Sequence, residues 1–123
     1  MKYQYSYNGK VLVKASTNAN YKFACVNKET LNKLQISSTL KGADAERSRR
    51  LSAAREGISN MTNAINAIDN GRPVYRRIEG RRAFGHRVDH DKAFYEEWLA
   101  TFEAREAHWA NDFMIVAVDM KEV

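Results

Sequence analysis

The stretch Tyr3-Gln-Tyr-Ser-Tyr-Asn8-Gly9-Lys-Val-Leu-Val-Lys-Ala15 places two alternating runs on either side of an Asn-Gly pair. This pattern is typical of a β-hairpin, and the loop length decides its register. A two-residue loop would pair Tyr5 with Leu12, whereas a three-residue loop would pair it with Val11. One step of register moves every side chain across the sheet. The three-residue loop gathers the apolar residues on one face, so we expect it, with Gly9 in a G1 bulge.

The same choice decides what the tyrosines do. In the expected register Tyr3 and Tyr5 face valines and belong to the core. In the other register the tyrosines and lysines form one face, which is the kind of surface that could serve as a platform for a ligand. The hydrophobic pattern favours the core, and the platform stays open as the alternative.

Downstream of the hairpin, residues 21–26 predict a third strand and residues 34–36 a short fourth strand. A long helix follows, with Ser38 as its N-cap and Gly71 as its C-terminal stop. Its apolar residues recur at intervals of three and four, which predicts a buried seam. We expect this seam to pack against the sheet; its members are Leu51, Ala54, Ile58, Met61, Ile65 and Ile68.

A second helix is predicted to begin at Asp89 or Asp91 and to carry an aromatic stripe of Phe94, Trp98, Phe102 and Trp109. Residues 113–118 are apolar at every position, which predicts a strand buried on both faces at the centre of the sheet. The predicted fold class is α+β. An antiparallel sheet of the N-terminal hairpin, the third strand and the C-terminal strand packs against two helices, in a single domain of residues 1–123.

The composition is that of a globular protein, with 123 residues of which 44% are hydrophobic. The start of the chain reads as a strand and not as a secretory signal. The longest apolar run has six residues, so we expect no membrane partner. Cys25 is the one cysteine, which excludes an internal disulfide and indicates a buried structural thiol. We therefore expect a protein of the cytoplasm.

The net charge of +5 conceals a split along the chain. Residues 1–88 carry 17 Lys+Arg against 6 Asp+Glu, a net of +11, and residues 89–123 carry 3 against 9, a net of −6. Such a division indicates either a basic face for an anionic partner or two parts that neutralise each other.

Arginine is concentrated in residues 72–87, where six arginines alternate with aromatic residues and glycines. Guanidinium groups bind phosphate bidentately and stack on bases, and aromatic rings add stacking surface. A second group of arginines lies near the start of the long helix, at positions 47, 49, 50 and 55. The alternative is that these arginines pair with the acidic residues between positions 89 and 112. The predicted anion- or partner-binding residues are Arg47, Arg50, Arg72, Tyr75, Arg76, Arg77, Arg81, Arg82 and Arg87.

Catalytic chemistry has little support in the sequence. His86, Asp89 and His90 could ligate a metal if their segment were helical, but the spacing matches no recognised zinc or nuclease pattern. Neither the phosphate-binding loop motif nor the dinucleotide-binding glycine motif occurs. We therefore expect no enzyme activity and no cofactor, and leave a metal-dependent hydrolase or nuclease as the least favoured alternative.

Three short segments together resemble a pattern found in small uncharacterised proteins of phage and plasmid genomes. They are Lys14-Ala-Ser16, Tyr21-Lys-Phe-Ala24-Cys-Val26, and Ile36-Ser-Ser38 before a charged helix. The resemblance does not reach the arginine-rich segment and brings no functional residues with it. It implies an accessory protein of a mobile element, a group in which inhibitors of host defence are common.

These observations lead to two principal hypotheses. The first is a non-enzymatic binding protein of a phage or mobile element. It would inhibit a bacterial defence system in the host cytoplasm by placing its arginine-rich surface on a host protein or nucleoprotein complex. The second is a nucleic-acid-binding module, whose affinity would fall steeply with salt. The sequence is compatible with a monomer or a homodimer.

Overall fold

The computed structural model describes residues 1–74 and 90–123, which form two helices and six strands. The elements are β1 (Tyr3–Tyr7), β2 (Lys10–Ser16), β3 (Phe23–Asn27), β4 (Lys33–Ser37), α1 (Leu40–Asp69), α2 (Lys92–Asn111), β5 (Phe113–Ala117) and β6 (Asp119–Glu122). Two compact units divide the chain. The sheet unit comprises residues 1–50 and 109–123, and the helical unit comprises residues 51–108.

The predicted α+β class is confirmed, but the strands are divided between two antiparallel sheets. One sheet has the order β2-β1-β6 and the other β4-β3-β5. The chain crosses between them at Val118, whose N–H still donates to Lys22 O of the β3 sheet. The next residue, Asp119, already pairs with Ser6 of β1. Strand β6 was not predicted, because its four residues include three charged ones and lack an apolar pattern.

The hairpin has the two-residue loop, so the expected register and the G1 bulge at Gly9 were wrong. Tyr7 pairs with Lys10, and Asn8 and Gly9 both have positive φ, at 48° and 80°, as in a type I′ turn. A first bulge in β2 then shifts the register so that Tyr5 pairs with Val13, and a second brings Tyr3 opposite Ser16. The bulges reconcile the short loop with an apolar interior, and Tyr5 is fully buried as a core residue.

In the sheet unit the two sheets share one apolar core. Ala24, Val26 and Val116 form its buried centre, and Tyr7 and Leu12 of the other sheet pack against them. The first part of α1 lies on the opposite face of the β3 sheet, where Gln35 Oε1 accepts a hydrogen bond of 2.7 Å from Glu46 N. Both faces of β3 are therefore covered, and β3, not the C-terminal strand, is central.

Cys25 is buried in β3, as predicted. Burial raises the pKa of its thiol, and the carboxylate of Asp44 adds to the shift, while Arg47 opposes it. A thiol held protonated in this way is a poor nucleophile, which agrees with a structural role.

The helical unit has a core of its own, in which the seam of α1 packs against α2. This core between the two helices was not predicted from the sequence. Its buried centre contains Met61, Ala64, Ala67 and Tyr95, together with Val74. Two of these buried residues are alanines, and Ile65 and Ile68 pack against the centre as partly buried residues. The predicted seam lacked Ala64 and Ala67, which are buried at this centre.

The helix ends follow the expected chemistry with one displacement. Thr39, not Ser38, caps α1, because Thr39 Oγ1 accepts from Gly42 N at 3.0 Å. Asp91 caps α2 through Phe94 N at 3.0 Å. Gly71 has φ +67° and ends α1 in a Schellman motif, with Arg72 N donating to Ala67 O and Gly71 N to Ile68 O.

Candidate binding surfaces

The predicted arginine at position 47 is engaged within the sheet unit. Its guanidinium makes a bidentate pair with Asp44, at 2.6 and 3.1 Å, and donates to the carbonyl of Trp109 at 2.9 Å. Only about a fifth of the side chain is exposed, 21%. Arg47 therefore ties α1 to the end of α2 and offers few donors to a partner.

Arg49 and Arg50 share a single carboxylate, that of Glu46. Both pairs close at 2.7 Å, and hydrogen bonds from the two guanidinium groups lower the pKa of Glu46 to about 2. Arg50 also lies over the ring of Trp109, 4.9 Å from its centroid. One carboxylate thus serves two cations on an exposed helix surface, which leaves a local excess of positive charge.

In the helical unit, Arg55 pairs with Glu106 of α2 at 3.2 Å. This is the kind of pairing that the sequence analysis weighed against an anion-binding surface. Arg72 is exposed just after the end of α1. The other predicted partner-binding residues lie outside the described residues; they are Tyr75, Arg76, Arg77, Arg81, Arg82 and Arg87.

His90 is the one member of the histidine and aspartate candidate that the structure describes. Its ring stacks on Phe94 with the centroids 3.8 Å apart and lies edge-on to Tyr95 at 6.0 Å. His86 and Asp89 lie outside the described residues. Across residues 1–74 and 90–123, no three His, Cys, Asp or Glu side chains come together in an arrangement that could hold a metal ion.

The charge of the protein is divided between the two units in a way that the sequence analysis missed. The helical unit contains 9 Lys+Arg and 9 Asp+Glu, a net of zero. The sheet unit contains 11 Lys+Arg and 6 Asp+Glu, a net of +5. The whole net charge therefore belongs to the sheet unit, and a count along the unfolded chain could not show this because the unit joins both ends of the sequence.

Lysine supplies most of this charge. The sheet unit contains eight lysines, and in the described parts of the chain none of them forms an ion pair. The arginines of the unit, by contrast, each contact a carboxylate. The eight are Lys2, Lys10, Lys14, Lys22, Lys28, Lys33, Lys41 and Lys121.

Three of these lysines lie in or contact the connection between β3 and β4, which we call the lysine turn (residues 27–33). Lys28 and Lys33 belong to the turn and are exposed. Lys10 reaches it from β2, where its Nζ donates to Thr30 O at 2.9 Å and to Asn32 Oδ1. The turn therefore combines two lysines of its own and the ammonium group of Lys10 with a single carboxylate, that of Glu29.

The lysine turn is also well ordered by its own hydrogen bonds. Asn27 Oδ1 accepts from the backbone of Glu29 and Thr30, at 2.9 and 3.0 Å. Leu31, with φ +59°, anchors the turn by packing against the core of the sheet unit. The backbone that carries Lys28 and Lys33 is thus fixed before any partner binds.

A second feature of the sheet unit is the outer edge of β5. This strand lies at the end of the order β4-β3-β5 and contains no charged residue. The other three strands at sheet edges contain lysine, namely β2, β4 and β6. Charged side chains discourage pairing with another chain, so β5 is the least protected edge among the described strands.

An open cleft of about 510 Å³ runs beside β5 and the first turns of α1. Its apolar lining includes Phe113, Met114, Ile115 and Leu40, and its polar lining consists of Lys41, Asp44 and Arg47. Leu40 is 58% exposed, which is unusual for a large apolar side chain on a structured helix. The cleft thus combines apolar surface, a strand edge and charge.

Comparison of the chain with known proteins found no matching family model, no matching curated protein and no matching solved structure. Functional inference therefore depends on the residues and their geometry. In the described parts of the chain, neither helix is both long enough and apolar enough to cross a membrane.

Proposed function

We propose that the protein is a non-enzymatic binding protein whose sheet unit contacts the phosphate backbone of nucleic acid. One observation carries the proposal: the whole net charge of +5 resides in the sheet unit, and its eight lysines form no ion pair in the described parts of the chain. Lysine and arginine side chains that neutralise phosphates release counterions, and this release drives sequence-independent binding.

The type of cation favours nucleic acid over an acidic protein surface. Lysine is depleted at protein–protein interfaces, where arginine and aromatic residues are enriched. The arginines of the sheet unit are engaged with Asp44 and Glu46, so the charge that this unit offers to a partner is mostly lysine. The ammonium group is a compact, hydrated charge that binds phosphate without a fixed geometry.

The lysine turn is the part of this surface with the best-defined geometry. Lys28 and Lys33 project from a turn that Asn27 and Leu31 hold in place. A fixed backbone limits the entropy lost on binding to that of the lysine side chains. We therefore expect the turn to contribute directly to phosphate contacts.

A second candidate function is inhibition of a bacterial defence complex by a phage or mobile element. The resemblance carried by residues 14–38 favours it, and those residues include β3 and the lysine turn. A nucleoprotein target would present phosphate and protein surface together, so the two candidates share the same lysines. They differ in whether purified nucleic acid is bound when no host protein is present.

Fluorescence anisotropy with labelled single-stranded and duplex DNA, over a series of salt concentrations, tests the proposal. We expect binding that weakens steeply with salt. The double variant Lys28→Gln/Lys33→Gln removes two charges without touching Lys10, which also supports the turn. If both lysines contact phosphate, the slope of log K against log salt falls by about 1.8 for duplex and about 1.4 for single strands.

Two control variants show whether the loss of binding comes from charge and whether it depends on where the charge is removed. Lys28→Arg/Lys33→Arg keeps the charge and should retain the wild-type slope. Lys92→Gln/Arg105→Gln removes two charges from the helical unit and should leave binding nearly unchanged. Absence of binding at low salt, or equal losses in the two Gln variants, would refute phosphate binding by the lysine turn. Capture of a host protein after nuclease treatment would then favour the inhibitor.

A further inference from the structure

The hydrogen bonds that bracket the β3–β5 ladder determine which backbone groups of β5 face outward. Lys28 N donates to Asp112 O at 2.8 Å, and Val118 N donates to Lys22 O at 3.0 Å. In an antiparallel ladder the N–H and C=O of one residue point to the same side, and successive residues alternate. Residues 112, 114, 116 and 118 therefore face β3, whereas Ile115 and Ala117 direct their backbone groups away from the sheet.

No described strand pairs with this outer side of β5, because β5 ends the sheet order. Ala117 is exposed and Ile115 is partly exposed, so solvent reaches the edge. Ile115 pairs with Cys25 and lies on the α1 side of the sheet, where it lines the cleft with Leu40 and Lys41. The edge donors and acceptors thus border a cleft that can take side chains.

We propose that this edge and cleft bind an extended, acidic segment of a partner protein as an added strand. The backbone of the segment would pair with Ile115 and Ala117, as in other proteins that add a peptide to a sheet edge. Every second side chain of the segment would enter the cleft against Ile115 and Leu40. An acidic side chain at the rim would meet Lys41.

Charge complementarity selects this occupant over a second copy of the same chain. Asp44 and Arg47 pair with each other, so Lys41 supplies the net charge of the cleft lining. Pairing two copies through β5 would bring together two sheet units of charge +5 each. Like charges oppose that contact, whereas an acidic segment gains from the same field.

Three labelled peptides of alternating valine and threonine, flanked by acidic, neutral or basic residues, test the proposal in anisotropy titrations with the full chain. We expect the acidic peptide to bind about tenfold tighter than the basic one. Ala117→Pro removes an outward N–H and no bond to β3, and should weaken binding about tenfold or more. Ala117→Val keeps the N–H and should bind like the wild type.

Lys41→Glu is a second variant that leaves the strand unchanged, and it should sharply reduce the preference for the acidic over the basic peptide. The proposal is refuted if none of the peptides binds, or if a folded Ala117→Pro protein binds them as well as the wild type. A dimer in light scattering that Ala117→Pro dissociates would assign the edge to a second copy instead. Lys28→Gln/Lys33→Gln should leave peptide binding intact, so this proposal and the nucleic-acid proposal can fail separately.

Discussion

Replacing Gly57 with alanine tests the packing of the helical unit, because two physical effects predict opposite results. Gly57 lies in the interior of α1, where alanine has a better helix propensity by about 1 kcal/mol. A Cβ atom at this position would lie 2.5–2.6 Å from three atoms of the Phe102 ring. Such contacts require α2 or the ring to shift, and overpacking of a core costs about 1–3 kcal/mol.

Taking the middle of that range and subtracting the propensity gain, we expect Gly57→Ala to lower the free energy of unfolding by about 1 kcal/mol. Urea denaturation followed by circular dichroism measures this difference. In thermal unfolding the Tm should fall by roughly 3–6 °C for a chain of this size. Ser52→Ala, at an exposed position of the same helix, serves as the matched control and should be neutral or slightly stabilising.

A double-mutant cycle identifies Phe102 as the cause. In a Phe102→Leu background the ring is gone, so Gly57→Ala should no longer destabilise and should approach the propensity gain of about 1 kcal/mol. If Gly57→Ala stabilises the wild-type protein as Ser52→Ala does, the close packing of α2 on Gly57 is refuted. Equal effects in both backgrounds would also contradict the assignment to Phe102.

Two further predictions concern the ends and the surface of α1. Gly71→Ala places a Cβ at φ +67° and should lower the free energy of unfolding by about 1 kcal/mol, whereas Gly71→Asn should lower it by less. Equal stability of the wild-type and alanine proteins would contradict the Schellman geometry. Glu46 has a pKa lowered to about 2 from 4.5, so its ionised form contributes stability above about pH 4.5 that is lost as pH falls towards 2. Glu46→Gln should therefore flatten the fall of Tm over this interval, and a wild-type slope in the variant would argue against the shared pair with Arg49 and Arg50.

The hairpin shows how far local pattern can determine a structure. The Asn-Gly pair correctly located the turn and the two strands, because few dipeptides adopt two successive positive φ angles. The register was wrong because the analysis assumed an unbroken ladder in which apolar residues must alternate perfectly. Two bulges in β2 remove that constraint, because each inserts an extra residue into the strand and shifts the pairing of the residues that follow.

The apolar run at residues 113–118 shows a second limit of prediction from sequence. It correctly predicted a strand, but not burial on both faces: Met114 and Val116 pack towards the other sheet, only Val116 is buried, and Ile115 borders an open cleft beside α1. Its position at the edge was not predictable from hydrophobicity. Side chains point above and below a sheet, so their polarity indicates which faces are covered. The groups at a sheet edge belong to the backbone, which is the same in every residue, so side-chain polarity does not show whether a strand is central or at an edge.

The binding surfaces show the same contrast between local and global information. Two ion pairs within α1 could be predicted from spacing alone, because Asp44 and Arg47 are three residues apart and Glu46 and Arg50 are four apart. The sequence-based hypothesis instead emphasised the clustered arginines as partner-binding residues. The lysines were inconspicuous because they are scattered over the first fifty residues and position 121. Only the fold collects them in one unit, so no motif could have predicted that surface.

The net charge of the sheet unit and the bare edge of β5 can be understood together. An uncharged edge strand exposes a protein to pairing with its own copies, and a single charged side chain at the exposed Ala117 would reduce that hazard at little cost to stability. The unit instead carries charge at a distance, as lysines on its other strands and turns. Repulsion between two units of +5 discourages self-pairing but leaves the edge open to an acidic strand. The distribution of charge therefore suits selective pairing better than it suits protection of the edge.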